Sequence, residues 1–363
     1  MKCPCLRRAL DVGFDHFSMS HFWQQLKKPF FVLAPMADVT DIVFRDFVLR
    51  HSRPDVVYTE FVACKALRSP KSRESFMRLL GYSERERPIV AQVFGSEPAG
   101  LFACAQQIRA WGFDGLDINM GCPDRRVEKQ GAGASLIRDP QRAQALIHAA
   151  KAGLEGLPLT VKTRLGYHTI ETASWIGAVL AAQPDVLVIH GRTRQELSEV
   201  PAHWDEIARA ASMARDAGVL CVGNGDIQSR EQGEEYAQRF GVDGIMIGRG
   251  VLGNPWVFAV RTKRSEPEKL AALAQLITQF NGFWKATKND GLLKKHFKVY
   301  VDGFPGSKTL RRELMATQNS TEALETLSRY FDRNGWIFPA MVYEQIVLST
   351  GCSRLPDSLT ERV

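Results

Sequence analysis

Short apolar runs rich in β-branched residues recur through the first two thirds of the chain, separated by stretches of helical period. They lie at 30–36 (FFVLAPM), 56–62 (VVYTEFV), 88–95 (PIVAQVFG), 115–121 (GLDINMG), 159–166 (LTVKTRLG), 186–193 (VLVIHGRT), 220–227 (LCVGNGDI) and 244–251 (GIMIGRGV). Each has the length of a strand and is apolar on both faces, as parallel strands covered on both sides require. Between them fall helical patterns such as 97–111 (EPAGLFACAQQIRAW) and 139–152 (DPQRAQALIHAAKA). The second opens with Asp139-Pro140, an N-cap followed by proline at the first helical position. Strands alternating with helices predict an α/β fold. Eight of them close a (β/α)8 TIM barrel. A doubly wound open sheet is the competing arrangement. The barrel is preferred because chemically distinctive residues recur at the C-terminal ends of nearly all the strands. A barrel gathers those ends at one mouth, whereas an open sheet converges only those beside its switch point.

After Trp256 the pattern turns helical, with predicted helices over 267–287, 289–300, 307–317, 320–333 and 338–349. Phe304-Pro305-Gly306 and Asn334-Gly335 break them. This divides the chain into an N-terminal extension (1–27), a catalytic barrel (28–260) and a C-terminal all-helical domain (261–363). Charge sharpens the division. The net charge is +7, yet Arg261 to Arg312 alone holds twelve Lys and Arg against four Asp and Glu, so the remaining residues sum to −1. A basic segment of this kind suits either a polyanionic partner or a solvated helix face.

Composition adds exclusions. A chain of 363 residues that is 45% hydrophobic and 24% charged is neither disordered nor collagen-like, and it is too large to need disulfide staples. The seven cysteines are Cys3, Cys5, Cys64, Cys104, Cys122, Cys221 and Cys352, without a C-x-x-C pair. Cys3-x-Cys5 lacks a second pair to complete a tetrahedral metal set, so no metal is expected. The first residues lack the apolar core of a signal peptide, and no run approaches the roughly 20 apolar residues of a membrane span. A cytoplasmic, membrane-free protein is expected.

The chemistry clusters at strand ends. Gly223-Asn224-Gly225-Asp226 follows the seventh strand and Gly248-Arg249-Gly250 the eighth. Barrels often seat a phosphate between these two loops, where glycines let backbone N–H groups approach and an arginine adds a charged fork. Lys162 sits in an apolar strand, where burying an ammonium is costly without an anionic or electron-rich partner. Gln92 and His190 end two further strands. Together these residues outline a site for a flat, polar, phosphorylated cofactor, and FMN fits that description. Cys122, in Asn119-Met120-Gly121-Cys122-Pro123, lies just past the fourth strand on a glycine-containing loop read as mobile. It is a candidate acid or nucleophile. Cys104 and Cys221, in apolar contexts, read as packing residues.

LAPMADVTDIVFR (33–45), GLDINMGCPDRRV (115–127), VKTRLG (161–166), HGRTR (190–194), NGDI (224–227) and GRGVLGNPW (248–256) together resemble the tRNA-dihydrouridine synthases. KVYVDGFPGSKTLRREL (298–314) resembles, more loosely, that family's helical tRNA-binding region. The resemblance implies an FMN-dependent enzyme that reduces the C5=C6 bond of a tRNA uridine with NADPH as reductant, acting as a monomer. Carried over by position, Pro35, Met36 and Ala37 line the flavin, and Gln92 and Lys162 contact its ring. His190 lies near flavin and base. Asn224, Gly225, Asp226, Gly248 and Arg249 hold the phosphate. Asn119 and Arg164 match positions near the flavin and the uracil edge, and Cys122 matches the proton donor. The basic segment would contact tRNA through Lys294, Lys295, Lys298, Lys308, Arg311 and Arg312. Positions 1–27 match no part of the family.

Two other readings remain. An FMN-dependent ene-reductase or dihydroorotate-dehydrogenase-like barrel explains the cofactor residues but not a basic helical domain. A flavin-retaining RNA-binding protein without turnover explains the charge but not an intact cysteine and lysine.

Overall fold

Strand pairing decides between barrel and open sheet. The computed structural model describes residues 21–68, 79–260, 263–285, 287–340 and 342–349. The strands are β1 (Phe30–Leu33), β2 (Val56–Tyr58), β3 (Val62–Ala63), β4 (Ile89–Phe94), β5 (Gly115–Met120), β6 (Leu159–Arg164), β7 (Val186–His190), β8 (Leu220–Asn224) and β9 (Gly244–Ile247). All pairings are parallel. They run β1–β9–β8–β7–β6–β5–β4, and β2 bonds both β1 and β4, which closes a ring of eight strands. The short β3 extends the end of β4 (Val62 opposite Val93). This is the expected (β/α)8 TIM barrel. The predicted run 56–62 divides into β2 and β3.

The surrounding helices are α1 (Phe22–Gln25), α2 (Ile42–His51), α3 (Cys64–Arg68), α4 (Pro98–Ala110), α5 (Arg125–Glu128), α6 (Pro140–Leu154), α7 (Gly177–Ala181), α8 (Trp204–Asp216) and α9 (Arg230–Phe240). Local sequence sets their starts. Asp139 caps α6 by accepting from Arg142 N–H (3.1 Å), with Pro140 in the first turn. Asp41 caps α2 through Phe44 N–H (2.9 Å).

Strand alternation splits the apolar residues into two clusters. Phe31, Leu33, Leu116, Ile118, Val161 and Ile189 face the helices. Phe30, Val32, Val90, Val186, Val188, Val222 and Met246 fill the barrel interior. Trp23 of α1 belongs to the interior cluster, fully buried against Phe30 and Tyr58. It plugs the N-terminal end of the barrel, although it falls within the segment that sequence reading set apart as an extension. Towards the mouth, the inward positions of β4, β5 and β6 turn polar, with Gln92, Asp117, Asn119, Thr160 and Lys162. The interior is therefore apolar below and polar towards the mouth.

Beyond the barrel lie α10 (Glu266–Trp284), α11 (Lys294–Tyr300), α12 (Ser307–Ala316) and α13 (Ser320–Arg333). α10 opens with a capping box between Ser265 and Glu268. Its Leu270, Leu273, Ile277 and Phe280 share the core that contains Phe44 and Phe47 of α2. The predicted helix 289–300 is a 3-10 turn (Asp290–Leu293) followed by α11. The predicted helix 338–349 is a correction: its described residues form no helix. The segment is strapped across neighbouring elements instead. Gln279 Nε2 donates to the Val342 carbonyl (3.2 Å), Glu344 pairs with Arg50, and Ser349 N–H donates to the Tyr82 carbonyl (2.9 Å). Apolar spacing suggested a helix face, but Val342 and Val347 are exposed while Ile346 is buried. Cys3, Cys5 and Cys352 lie outside the described residues.

Candidate active site

The strand ends converge as the barrel requires. Pro35, Met36, Gln92, Asn119, Cys122, Lys162, Arg164, His190, Asn224, Gly225, Asp226, Gly248 and Arg249 all line one cavity of about 260 Å³ at the C-terminal mouth. Of the residues expected at the cofactor, only Ala37 lies outside the lining; it is exposed on the loop after β1. Gly250 of the eighth-strand loop lines the cavity too, and so do Arg192 and Phe61, which were not singled out in the sequence. Arg192 was legible as the arginine of the HGRT run after β7.

Charge is lopsided here. Among the described residues, Lys162, Arg164, Arg192 and Arg249 line the cavity, against the single carboxylate of Asp226. Asp226 accepts from Arg192 Nη2 (2.5 Å), Arg249 Nη2 (3.3 Å) and Ala202 N–H (2.9 Å). Its role in this geometry is to fix two guanidinium groups. Arg192 also donates to His190 Nε2 (3.0 Å), which leaves the imidazole proton on Nδ1. Burial, reinforced by Arg164, Lys162, Arg192 and Arg249, holds His190 well below its ordinary pKa, so the ring is neutral at pH 7. Lys162 Nζ donates to Asn224 Oδ1 (3.1 Å), and Asn224 Nδ2 donates to the Met246 carbonyl (2.9 Å). Burial first, and the Arg164 charge second, lower Lys162 to about 8. Arg164 spends its donors on backbone: Gly121 O (2.8 Å), Thr193 O (3.0 Å) and Leu197 O (2.9 Å). An excess of cations without matching carboxylates is the donor set that a bound anion completes.

Glycines bring the phosphate-type loops close. Gly225 has φ +141°, and a Cβ there would lie 2.6 Å from Ala202 Cβ; one on Gly250 would lie 2.4 Å from the Ile227 carbonyl.

Cys122 is half-buried at the rim, whereas Cys64, Cys104 and Cys221 are buried. Burial raises its thiol pKa above the ordinary value, so the S–H form prevails at neutral pH. The loop carrying it was read as mobile, yet it is pinned. Cys122 N–H donates to Asn119 Oδ1 (2.9 Å), Ala134 N–H donates to the Cys122 carbonyl (3.0 Å), and Glu128 pairs with Arg194 (2.5 Å).

The basic positions of the helical region divide. Lys294 Nζ donates to the Met315 carbonyl (3.0 Å), Lys295 Nζ to the Asp38 carbonyl, and Arg311 pairs with Asp302 (3.2 Å). Lys298, Lys308 and Arg312 are exposed. None of these lines the cavity, but Lys295 reaches the loop that carries Pro35 and Met36. At the same joint Lys288 pairs with Asp41 (2.7 Å), which also accepts from Trp284 Nε1 (3.1 Å).

The family model described as dihydrouridine synthase (Dus) matches residues 32–334, which covers barrel and helices alike. The chain belongs to the dihydrouridine synthase family. A probable tRNA-dihydrouridine synthase of Staphylococcus aureus (strain COL) is 42% identical over 316 residues, covering 85% of this chain and 95% of that protein. A probable tRNA-dihydrouridine synthase 2 of Bacillus subtilis (strain 168) is 41% identical over 318 residues, covering 86% and 97%. Among solved structures, a 6-hydroxypseudooxynicotine amine oxidase from Pseudomonas geniculata aligns with a TM-score of 0.46 at 14% identity, over 62% of this chain and 46% of that one. The barrel assignment rests on strand pairing alone. Dihydrouridine synthases are generally flavin-dependent, and the cation-rich cavity is compatible with that. Among the described residues no helix is long and apolar enough to cross a membrane, and no His, Cys, Asp and Glu group could hold a metal.

Proposed function

We infer that the chain is a tRNA-dihydrouridine synthase, reducing the C5=C6 bond of a uridine in tRNA to 5,6-dihydrouridine. We propose FMN as its cofactor and NADPH as the reductant, with the enzyme acting as a cytoplasmic monomer. The observation that carries the reading is one cavity that, among the described residues, joins a half-buried neutral thiol, Cys122, to four cations and a single carboxylate. A small-molecule flavin reductase would share the cations but has no use for the basic helices docked on the cavity's own loop.

In this proposal Arg249 and the backbone of Asn224, Gly225, Asp226 and Gly248 hold the ribityl phosphate. Pro35, Met36, Gln92, Lys162 and His190 border the ring, whereas Ala37 stays outside the cavity. The chemistry that bound, reduced FMN would supply is a hydride for uracil C6. The chain's own residues do the rest. Cys122 gives its S–H proton to C5, and the thiolate regains a proton from water. Its raised pKa keeps the donor loaded across neutral pH. Lys162 and Arg164 offset negative charge on the uracil carbonyl or the ring, and Asn119 borders the base. Lys294, Lys295, Lys298, Lys308, Arg311 and Arg312 contact tRNA phosphates, and the target base leaves its stack to enter the mouth.

The test combines a visible spectrum with nucleoside mass spectrometry after incubation with NADPH and unmodified tRNA. A yellow protein that adds two hydrogens to a tRNA uridine is expected. Consumption of NADPH with unaltered tRNA would overturn the substrate, and failure to bind FMN would overturn the mechanism. Cys122→Ala should bind FMN as the wild type does and lose roughly 10²–10⁴-fold in turnover; normal turnover would remove Cys122 from its role.

A further inference from the structure

We propose that Asp117, sealed beneath the cavity, is a positioning residue that sets the orientation of Gln92 and, through Asn119, the place of Cys122. The proposal rests on the roles given above to Gln92 and Cys122. Asp117 is fully buried and does not line the cavity, so it acts only through its neighbours.

A continuous chain of hydrogen bonds leads from the barrel interior to the thiol. Tyr58 Oη donates to Thr160 Oγ1 (3.1 Å), which donates to Asp117 Oδ1 (2.5 Å). Gln92 Nε2 donates to Asp117 Oδ2 (2.7 Å), and Asn119 Nδ2 donates to Gln92 Oε1 (3.0 Å). Asn119 Oδ1 then accepts from the N–H groups of Gly121 (3.1 Å) and Cys122 (2.9 Å). The chain has a direction. Burial lifts the Asp117 pKa to about 7, so above that pH the group is a carboxylate that only accepts, and Gln92 must turn its NH₂ towards it. Gln92 Oε1 then faces Asn119, which must offer its own NH₂ in return. That leaves Asn119 Oδ1 for the two backbone donors at the thiol's turn. Both amides are thus held in one of their two orientations, and the turn bearing Cys122 is anchored to the barrel floor. A neutral amide at position 117 permits the reverse order, in which Gln92 Nε2 faces Asn119 Oδ1 and competes with the Cys122 N–H.

Asp117→Asn tests this, with Thr160→Val as the comparison. Thr160→Val removes the carboxylate's other partner and leaves its bond to Gln92. Three readouts are taken: the rate at which iodoacetamide alkylates Cys122 in FMN-free protein, resolved by peptide mass spectrometry; FMN affinity by fluorescence quenching; and kcat with KM for tRNA. Asp117→Asn should change the alkylation rate by about threefold or more, weaken FMN binding, and lower kcat roughly 10- to 100-fold with KM for tRNA retained. Thr160→Val should lower the melting temperature while keeping the wild-type alkylation rate. Wild-type alkylation and kcat in Asp117→Asn would overturn the proposal, as would a Thr160→Val variant that matches it in all three readouts. Should Asp117→Asn fail to fold, Gln92→Glu breaks the same link from the other side, and an unaltered alkylation rate there would be equally decisive. The alkylation arm needs neither cofactor nor turnover. A wild type that makes no dihydrouridine would therefore count against the proposed function while the positioning is still decided.

Discussion

Lys162 shows how much a single side chain depends on what surrounds it. Its pKa is lowered from 10.5 to about 8 by burial and by Arg164. In the folded apoprotein it therefore binds fewer protons between about 8 and 10.5 than in the unfolded chain. Stability contributed by this group rises with pH across that window. A bound anion favours the ammonium form, so the proposed FMN would take up a proton on binding above about pH 8. The FMN Kd should climb as pH rises beyond about 8, towards tenfold per unit, and Lys162→Met should remove that slope. Fluorescence titrations between pH 7 and 9.5 measure both, and a flat wild-type profile would exclude Lys162 as the titrating partner. Lys162, Cys122 and the two glycine loops were legible in the sequence because each breaks an apolar run at a strand end. Asp117 and Thr160 were not. They sit inside runs that read as uniformly apolar, and only closure of the barrel turns their alternation into a shared polar floor. Asp226 was legible by position but not by partner, since its two arginines come from the loops after β7 and β9.

At the scale of elements, the turn from Cys122 to Ala134 shows local sequence and tertiary contact acting together. Asp124 caps α5 through Arg126 N–H (2.7 Å), and Gly133 folds the returning strand of the turn over the cysteine with φ +63°. A Cβ on Gly133 would sit 2.8 Å from the Cys122 carbonyl and from Val127 Cγ1. Gly133→Ala should cost about 1–3 kcal/mol in urea unfolding. It should also reduce turnover more than it reduces FMN affinity, because the thiol shifts while the cofactor loops do not; equal losses would indicate general loosening. The eight barrel strands and the helices at 307–317 and 320–333 could be read from periodicity and breakers. The segment 338–349 could not, because its apolar residues serve separate neighbours and its backbone bonds to Gln279 and Tyr82 in place of a helical ladder.

Taken as a whole, the molecule joins barrel and helices through a single core and through the joint of Lys288, Asp41 and Trp284. Lys295 adds a contact to the loop after β1, so the basic helices are registered on the cavity's own rim. The sequence revealed both parts and the charge that separates them, but not this registration, which depends on residues roughly 250 positions apart (Lys288 and Asp41 are separated by 247). It also concealed the use of Trp23, which no periodic pattern surrounds. With that indole stoppering the far end, the barrel formed by the described residues has one doorway. In the proposed reaction a nicotinamide and a folded RNA both come to it, and taking turns there is the expected order. Initial-rate lines measured against NADPH at several tRNA concentrations should run parallel in a reciprocal plot, the signature of a double-displacement order. Intersecting lines would mean that both visitors share the threshold at once.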